Sequence, residues 1–119
     1  MAITDPLTFA YDSGNITLNR INQDNYGSVF YGTGTDLAVT LTFKHTIPPI
    51  GGDGESHLVR VDVDHFDSTT HEFVRRSSAW CAIRTDGTPQ DSENSEDVTE
   101  ALVDFLSDAN ITKVVGRQS

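Results

Sequence analysis

The chain is short of cysteine, of positive charge and of long apolar runs, and each shortage closes off a class of protein. With Cys81 as its one cysteine among 119 residues, no internal disulfide and no cysteine-based zinc site can form, so a small stapled fold is excluded. No apolar run exceeds a few residues, so nothing reads as a membrane-spanning helix. Met1 to Pro6 carries neither a basic region nor an apolar stretch, and no signal peptide is expected there. No G-x-S-x-G, P-loop or dinucleotide fingerprint occurs, so the sequence gives catalysis no support and calls for no cofactor.

Positive charge is scarce. Eight Lys and Arg stand against eighteen Asp and Glu, a formal charge of −10, the opposite of what a nucleic-acid binder usually shows. The charges are unevenly spread. Ten acids fall in Asp53–Glu55, Asp62–Asp67 and Asp86–Asp97, whereas Lys44, Arg60, Arg75, Arg76 and Arg84 lie between positions 44 and 84. That division fits a basic patch on one face with acidic loops elsewhere.

What is present is a long sheet written in period two. Val39, Leu41 and Phe43 alternate with Thr40, Thr42 and Lys44; Val59, Val61 and Val63 alternate with Arg60, Asp62 and Asp64. Such alternation marks strands with one apolar and one polar face. Leu7–Tyr11 and Asn15–Ile21 form a hairpin around Asp12-Ser13-Gly14, and Gly27–Tyr31 is a third strand ended by Gly32-Thr33-Gly34. Asp36–Thr46, His57–Phe66 and Phe73–Arg84 follow. Short links between consecutive strands imply an antiparallel meander. Ile47–Ser56, with Pro48-Pro49 and three glycines, and Asp67–Thr70 are connections.

Helix comes only at the end. Asp86–Asn94 reads as an acidic linker, and Ser95 caps a helix with Glu96 and Asp97 in its first turn. Val98, Ala101, Leu102, Phe105, Leu106 and Ala109 form one apolar stripe. Asn110 starts a short second helix that Gly116 ends. The expected fold is therefore a single α+β domain, 1–119, with an N-terminal hairpin (7–21), a main sheet (26–85) and a helical tail (95–116). So little helix cannot cover so long a sheet, which points to a partner copy.

Three groups of residues invite a chemical reading. Asp62, Asp64, His65, Asp67 and His71 are metal-ligand types, but on a strand His65 points away from Asp62 and Asp64, and no EF-hand or H-E-x-x-H spacing is present; no metal site is expected. Cys81, in phase with Ala79 and Ile83, reads as a small buried hydrophobe. The polar face displays Thr40, Thr42 and Lys44, then Leu58, Arg60 and Asp62, then Ser78, Trp80, Ala82 and Arg84. Cations, hydroxyls and an aromatic suit phosphate contacts and stacking on unpaired bases. A small dimeric α+β ligand-binding or enzymatic domain is the alternative; it would need titratable groups in an apolar seam, yet Val39, Leu41, Phe43, Val59, Val61 and Val63 are all apolar.

Block by block, the chain resembles the coat proteins of single-stranded RNA bacteriophages, the leviviruses. The likeness runs through the hairpin Leu7–Ile21, Tyr26-Gly27-Ser28-Val29-Phe30-Tyr31, the strand Asp36–His45 and a Gly/Pro loop. It continues through His57-Leu58-Val59-Arg60-Val61-Asp62-Val63, Arg76-Ser77-Ser78-Ala79-Trp80-Cys81-Ala82-Ile83-Arg84, an acidic linker and the helical tail. The resemblance implies an obligate, intertwined homodimer with one continuous antiparallel sheet, each copy's helices lying across its partner's strands. Dimers would assemble in the bacterial cytoplasm into an icosahedral virion shell, with the polar face turned toward single-stranded genomic RNA. It implies RNA contacts by Thr40, Thr42, Lys44, Arg60 and Trp80, including an operator hairpin, to which the polar-face pattern adds Arg84; the apolar stripe puts a dimer interface at Val98, Leu102, Phe105 and Leu106. Leu58 and Ala82 depart from the family's polar residues. Ile47–Ser56 and Asp67–Thr70 are the loops expected to meet neighbouring dimers and to change shape.

Overall fold

Alternating side chains become six strands and the apolar tail becomes two helices in the computed structural model, which describes residues 3, 5–12, 14–24, 26–47, 54–86, 89–107 and 109–117. The strands are β1 (Leu7–Tyr11), β2 (Gly14–Asp24), β3 (Gly27–Gly34), β4 (Leu37–Thr46), β5 (Glu55–Phe66) and β6 (Phe73–Thr85), followed by α1 (Pro89–Phe105) and α2 (Ala109–Val115). They form one sheet in sequence order, β1 to β6, with antiparallel pairing from β1 through β5. The architecture is the antiparallel meander with two C-terminal helices that the period-two pattern implies. Two compact units divide the chain: residues 1–46 with 56–82, and residues 47–55 with 83–119.

The core of the first unit joins the N-terminal hairpin to strands β3, β4 and β5. Ile16, Leu18, Phe30, Val39, Leu41 and Val63 are buried, with Leu7, Phe9, Tyr11, Leu37, Phe43, Val59 and Val61 packed around them. Register slips between Arg20 and Asn22, a bulge that bends β2. Gly32, buried on β3, allows the close approach: a Cβ there would run into the Thr17 carbonyl oxygen and the Leu18 side chain. Phe30 meets Phe43 edge to face at 5.9 Å, and the Arg20 guanidinium lies 5.0 Å from the Phe30 ring centre. The hairpin thus supplies sheet cover that the sequence reading assigned to helices alone.

Three boundaries differ from expectation. β3 runs on through Gly34, because Gly34 pairs with Leu37 across a two-residue turn in which Asp36 takes a positive φ of 58°, a conformation Asp tolerates better than most residues. β2 extends to Asp24, three residues beyond its expected end at Ile21. In the second unit α1 starts at Pro89 rather than Ser95: proline suits the first turn, where its missing N–H costs nothing, and Asp91 sits at the positive end of the dipole. Ser95 is helical and its hydroxyl donates to the Arg84 carbonyl at 3.0 Å.

The connections also differ. Residues 48–53 of the Gly/Pro loop lie outside the described residues, and Glu55 and Ser56 belong to β5. The β5–β6 connection is a tightly bonded turn. Asp67 Oδ1 accepts from the backbone N–H groups of Thr69 and Thr70 at 2.8 and 2.9 Å, and the Asp67 carbonyl accepts from His71 N–H at 2.9 Å. Cys81 is half-buried rather than buried as expected, because it sits on the edge strand.

Candidate nucleic-acid interface

Register settles which side chains share the polar face. Thr40 pairs with Asp62, Thr42 with Arg60 and Lys44 with Leu58 across β4 and β5, and β3 brings Tyr31, Val29 and Gly27 opposite Thr40, Thr42 and Lys44. Side chains directly opposite in an antiparallel pair point to the same side. On β6, Arg76, Ser78 and Trp80 reach Asp64, Asp62 and Arg60. Thr40, Thr42, Lys44, Arg60 and Trp80 are thereby gathered on one surface. Arg84 is exposed on β6, four residues beyond Trp80, and belongs to the second unit.

The centre of this face is a stacked and ion-paired group. The Arg60 guanidinium lies 5.4 Å from the centre of the Trp80 ring, within cation–π range. Its Nε donates to both carboxylate oxygens of Asp62, at 3.1 and 3.2 Å. Ser78 Oγ donates to Asp62 Oδ1. Beside it, Arg76 Nε and Nη2 donate to Asp64 Oδ1 and Oδ2 at 2.6 and 3.1 Å, the forked geometry of a strong charge-assisted pair. Trp80 is 65% exposed, so one aromatic surface stays open for stacking.

These contacts fix the ionisation of the carboxylates. The Ser78 hydrogen bond holds the Asp62 carboxyl below its ordinary range, and Arg60 adds to this against the opposing effect of burial. Arg76 does the same for Asp64, first through its hydrogen bonds and then through its charge, and Asp64 in turn holds Arg76 in its charged form. Both aspartates are anionic at neutral pH.

A shallow depression of about 200 Å³ opens beside Lys44, lined by Asn22, Asp24, Gly27, Val29 and Thr42 among others. Its floor at Gly27 has no side chain because a Cβ there would collide with the Phe43 carbonyl. Tyr31 and Arg76 belong to the face and were not singled out from sequence; strand parity relative to Trp80 identifies Arg76, and pairing with Thr40 identifies Tyr31. Among the described residues no three His, Cys, Asp or Glu side chains converge as a metal cluster would require, and none of the helices is long and apolar enough to cross a membrane.

The residues expected at a subunit interface stand open in the single chain. Val98, Leu102 and Phe105 are 70%, 48% and 58% exposed, and Leu106 is half-buried. Val103 on the same helix and Phe73 and Val74 on β6 are exposed as well.

Comparison with known proteins adds a family and a fold. The family model described as the coat protein of phage phiCb5 matches residues 4–86, well over half of the chain. Among solved structures, the virus-like particle of Beihai levi-like virus 21 aligns with a TM-score of 0.75 at 16% identity, covering 96% of this chain and 94% of that one. The capsid protein of bacteriophage GA aligns at 0.63 and 11% identity, covering 97% and 95%. The virus-like particle of bacteriophage AVE019 aligns at 0.58 and 11%, covering 95% and 94%. At these identities the structural likeness concerns the fold. No curated protein matches the sequence.

Proposed function

The chain belongs to the phage phiCb5 coat-protein family and is a structural, non-enzymatic capsid protein of the virion, and from that premise we propose that it builds its shell from interlocked dimers that hold single-stranded RNA on the polar face of the sheet. Coat function entails self-association. The observation that carries the dimer is β6, a thirteen-residue strand at the end of the strand order whose residues from Phe73 to Trp80 are all exposed. A long open edge is a template for another strand, and a second copy's β6 would extend the sheet.

The exposed apolar residues of α1 support the same reading. Val98, Leu102 and Phe105 would gain roughly 1.5–3 kcal/mol each if fully covered, a large share of the net stability of a small domain. The half-buried Val59, Val61 and Cys81 offer apolar sheet surface for a partner's helix.

RNA binding rests on Lys44, Arg60 and Trp80, with Thr40 and Thr42 between them and Arg84 further along β6. Phosphates would meet the cations and unpaired bases would stack on Trp80. Apolar Leu58 and Ala82 supply no hydrogen bonds for reading a base, which favours packaging of genomic RNA over tight recognition of one operator hairpin. Expression of the protein alone tests the whole reading. Electron microscopy should show closed icosahedral particles, and an absorbance excess at 260 nm should show RNA inside them. A stable monomer under several salt conditions, with no particles, would overturn it.

A further inference from the structure

Two arginines on the polar face already hold carboxylates. Arg60 and Arg76 are each paired to an aspartate two strand positions or one strand away, and both aspartates sit deeper than their partners. The Asp62 and Asp64 side chains are 14% and 21% exposed, against 43% and 55% for Arg60 and Arg76. The carboxylates therefore lie at the floor while the guanidinium groups reach outward. Arg60 uses only Nε toward Asp62, and among the described residues its two terminal nitrogens have no protein partner. On this part of the face the cations Lys44, Arg60 and Arg76 stand against the carboxylates of Asp24, Asp62 and Asp64, three against three; Asp62 and Asp64 are ion-paired, and Asp24 lines the same depression as Lys44.

We propose that Asp62 and Asp64 are resident counter-anions that hold Arg60 and Arg76 in place of phosphate, so that phosphates meet these two cations only weakly and the face holds RNA mainly by stacking, without reading its sequence. The inference deepens the RNA-binding reading and rests on it. Several features of the face serve this role. Ser78 anchors Asp62 from β6, so the carboxylate does not swing aside to admit a phosphate. The Arg60 guanidinium is held over Trp80 with its outer edge free, which presents a planar cation beside an open indole, a platform for a base more than for a point charge. Phosphate binding at these arginines requires displacing or sharing with a fixed anion, and this lowers the number of counterions RNA releases on binding. A shell protein carrying −10 overall thus has a cargo face that is locally balanced instead of basic.

The test measures binding of an unstructured single-stranded RNA oligonucleotide to full-chain protein kept as unassembled subunits, across a salt series. Asp62→Asn keeps an acceptor for Ser78 and removes the charge; Asp64→Asn does the same at the second pair and is the independent arm should the first variant fold poorly, which a thermal melt reports. Each should bind the oligonucleotide roughly three- to tenfold more tightly at low salt and steepen the log–log salt slope by about 0.7. Arg60→Gln added to Asp62→Asn should cancel that variant's gain. If wild-type protein binds RNA and Lys44→Gln weakens it, yet neither Asn variant alters affinity or slope, this inference falls and the RNA face stands. If wild type and every variant leave the RNA unbound, both fall.

Discussion

Gly32 on β3 lies directly against the carbonyl oxygen of Thr17 on β2, with no room for a Cβ between them. The contact lets the N-terminal hairpin close over Phe30 and Val39, both fully buried. Gly32→Ala should therefore destabilise the fold by about 1–3 kcal/mol, the usual cost of overpacking a tight site. Chemical denaturation of the unassembled protein measures it. The described core residues of the first unit all lie on strands, so a helix truncation should leave the hairpin's hydrogen-exchange protection in place while Gly32→Ala reduces it.

Much of this architecture is legible in the residues themselves. Period-two runs such as Val39-Thr40-Leu41-Thr42-Phe43 carry strand identity and facing together, so the meander and the composition of the polar face follow from sequence. What escaped depended on contacts between distant segments. Gly32 reads as a turn-former because nothing local reveals Thr17 above it. Ser95 reads as the cap that starts α1, but its hydroxyl bonds the Arg84 carbonyl instead. The neutralisation of Arg76 is hidden because Arg76 and Asp64 are twelve residues apart and meet only through β5–β6 pairing, whereas Arg60 and Asp62, two apart on one strand, share a face by parity alone.

Trp80 is the single tryptophan in the chain, so its fluorescence reports on the RNA face without interference. Trp80→Ala should weaken RNA binding by about 1–3 kcal/mol, the range for losing one base-stacking platform, while Trp80→Phe retains most of it. In the wild type, RNA should quench the indole emission in a saturable titration. Unchanged emission at saturating RNA would place the bases elsewhere.

Acid should loosen the β5–β6 region. Ser78 lowers the pKa of Asp62, Arg76 that of Asp64, and the backbone N–H groups of Thr70 and Thr69 that of Asp67, each from an ordinary value of 3.8. A carboxylate whose folded-state pKa is depressed stabilises the fold above the unfolded value, and that contribution fades as pH falls through the folded one. Stability should stay level in this respect from neutral pH to just above 4 and decline below it. Ser78→Ala, which removes the main cause at Asp62, should shrink the decline. Thermal melts from pH 7 to 2.5 decide the matter; stability that holds level to pH 2.5 contradicts the assignment.

Asp67 closes the β5–β6 turn by accepting two backbone N–H groups, and His71 completes the turn with a φ of 61°. Asp67→Ala leaves both donors to water and should destabilise the turn, as loss of a comparable helix cap does. Amide exchange at Thr69 and Thr70 should quicken in that variant while exchange in β3 and β4 stays slow. Uniform acceleration across the sheet would mean that the turn nucleates more than its own neighbourhood.

Phe105 separates a subunit's own stability from assembly. It is 58% exposed in the single chain, so truncating it removes little that the chain buries by itself, whereas a central aromatic at an interface carries 2 kcal/mol or more of binding energy. Phe105→Ala should therefore abolish the soluble dimer at concentrations where wild type is fully dimeric, with no matching loss of hairpin protection. Sedimentation velocity reads the association and hydrogen exchange reads the fold. Retention of a tight, folded dimer would show that the apolar stripe of α1 faces solvent in the assembled protein, and the dimer would then have to rest on the β6 edge alone.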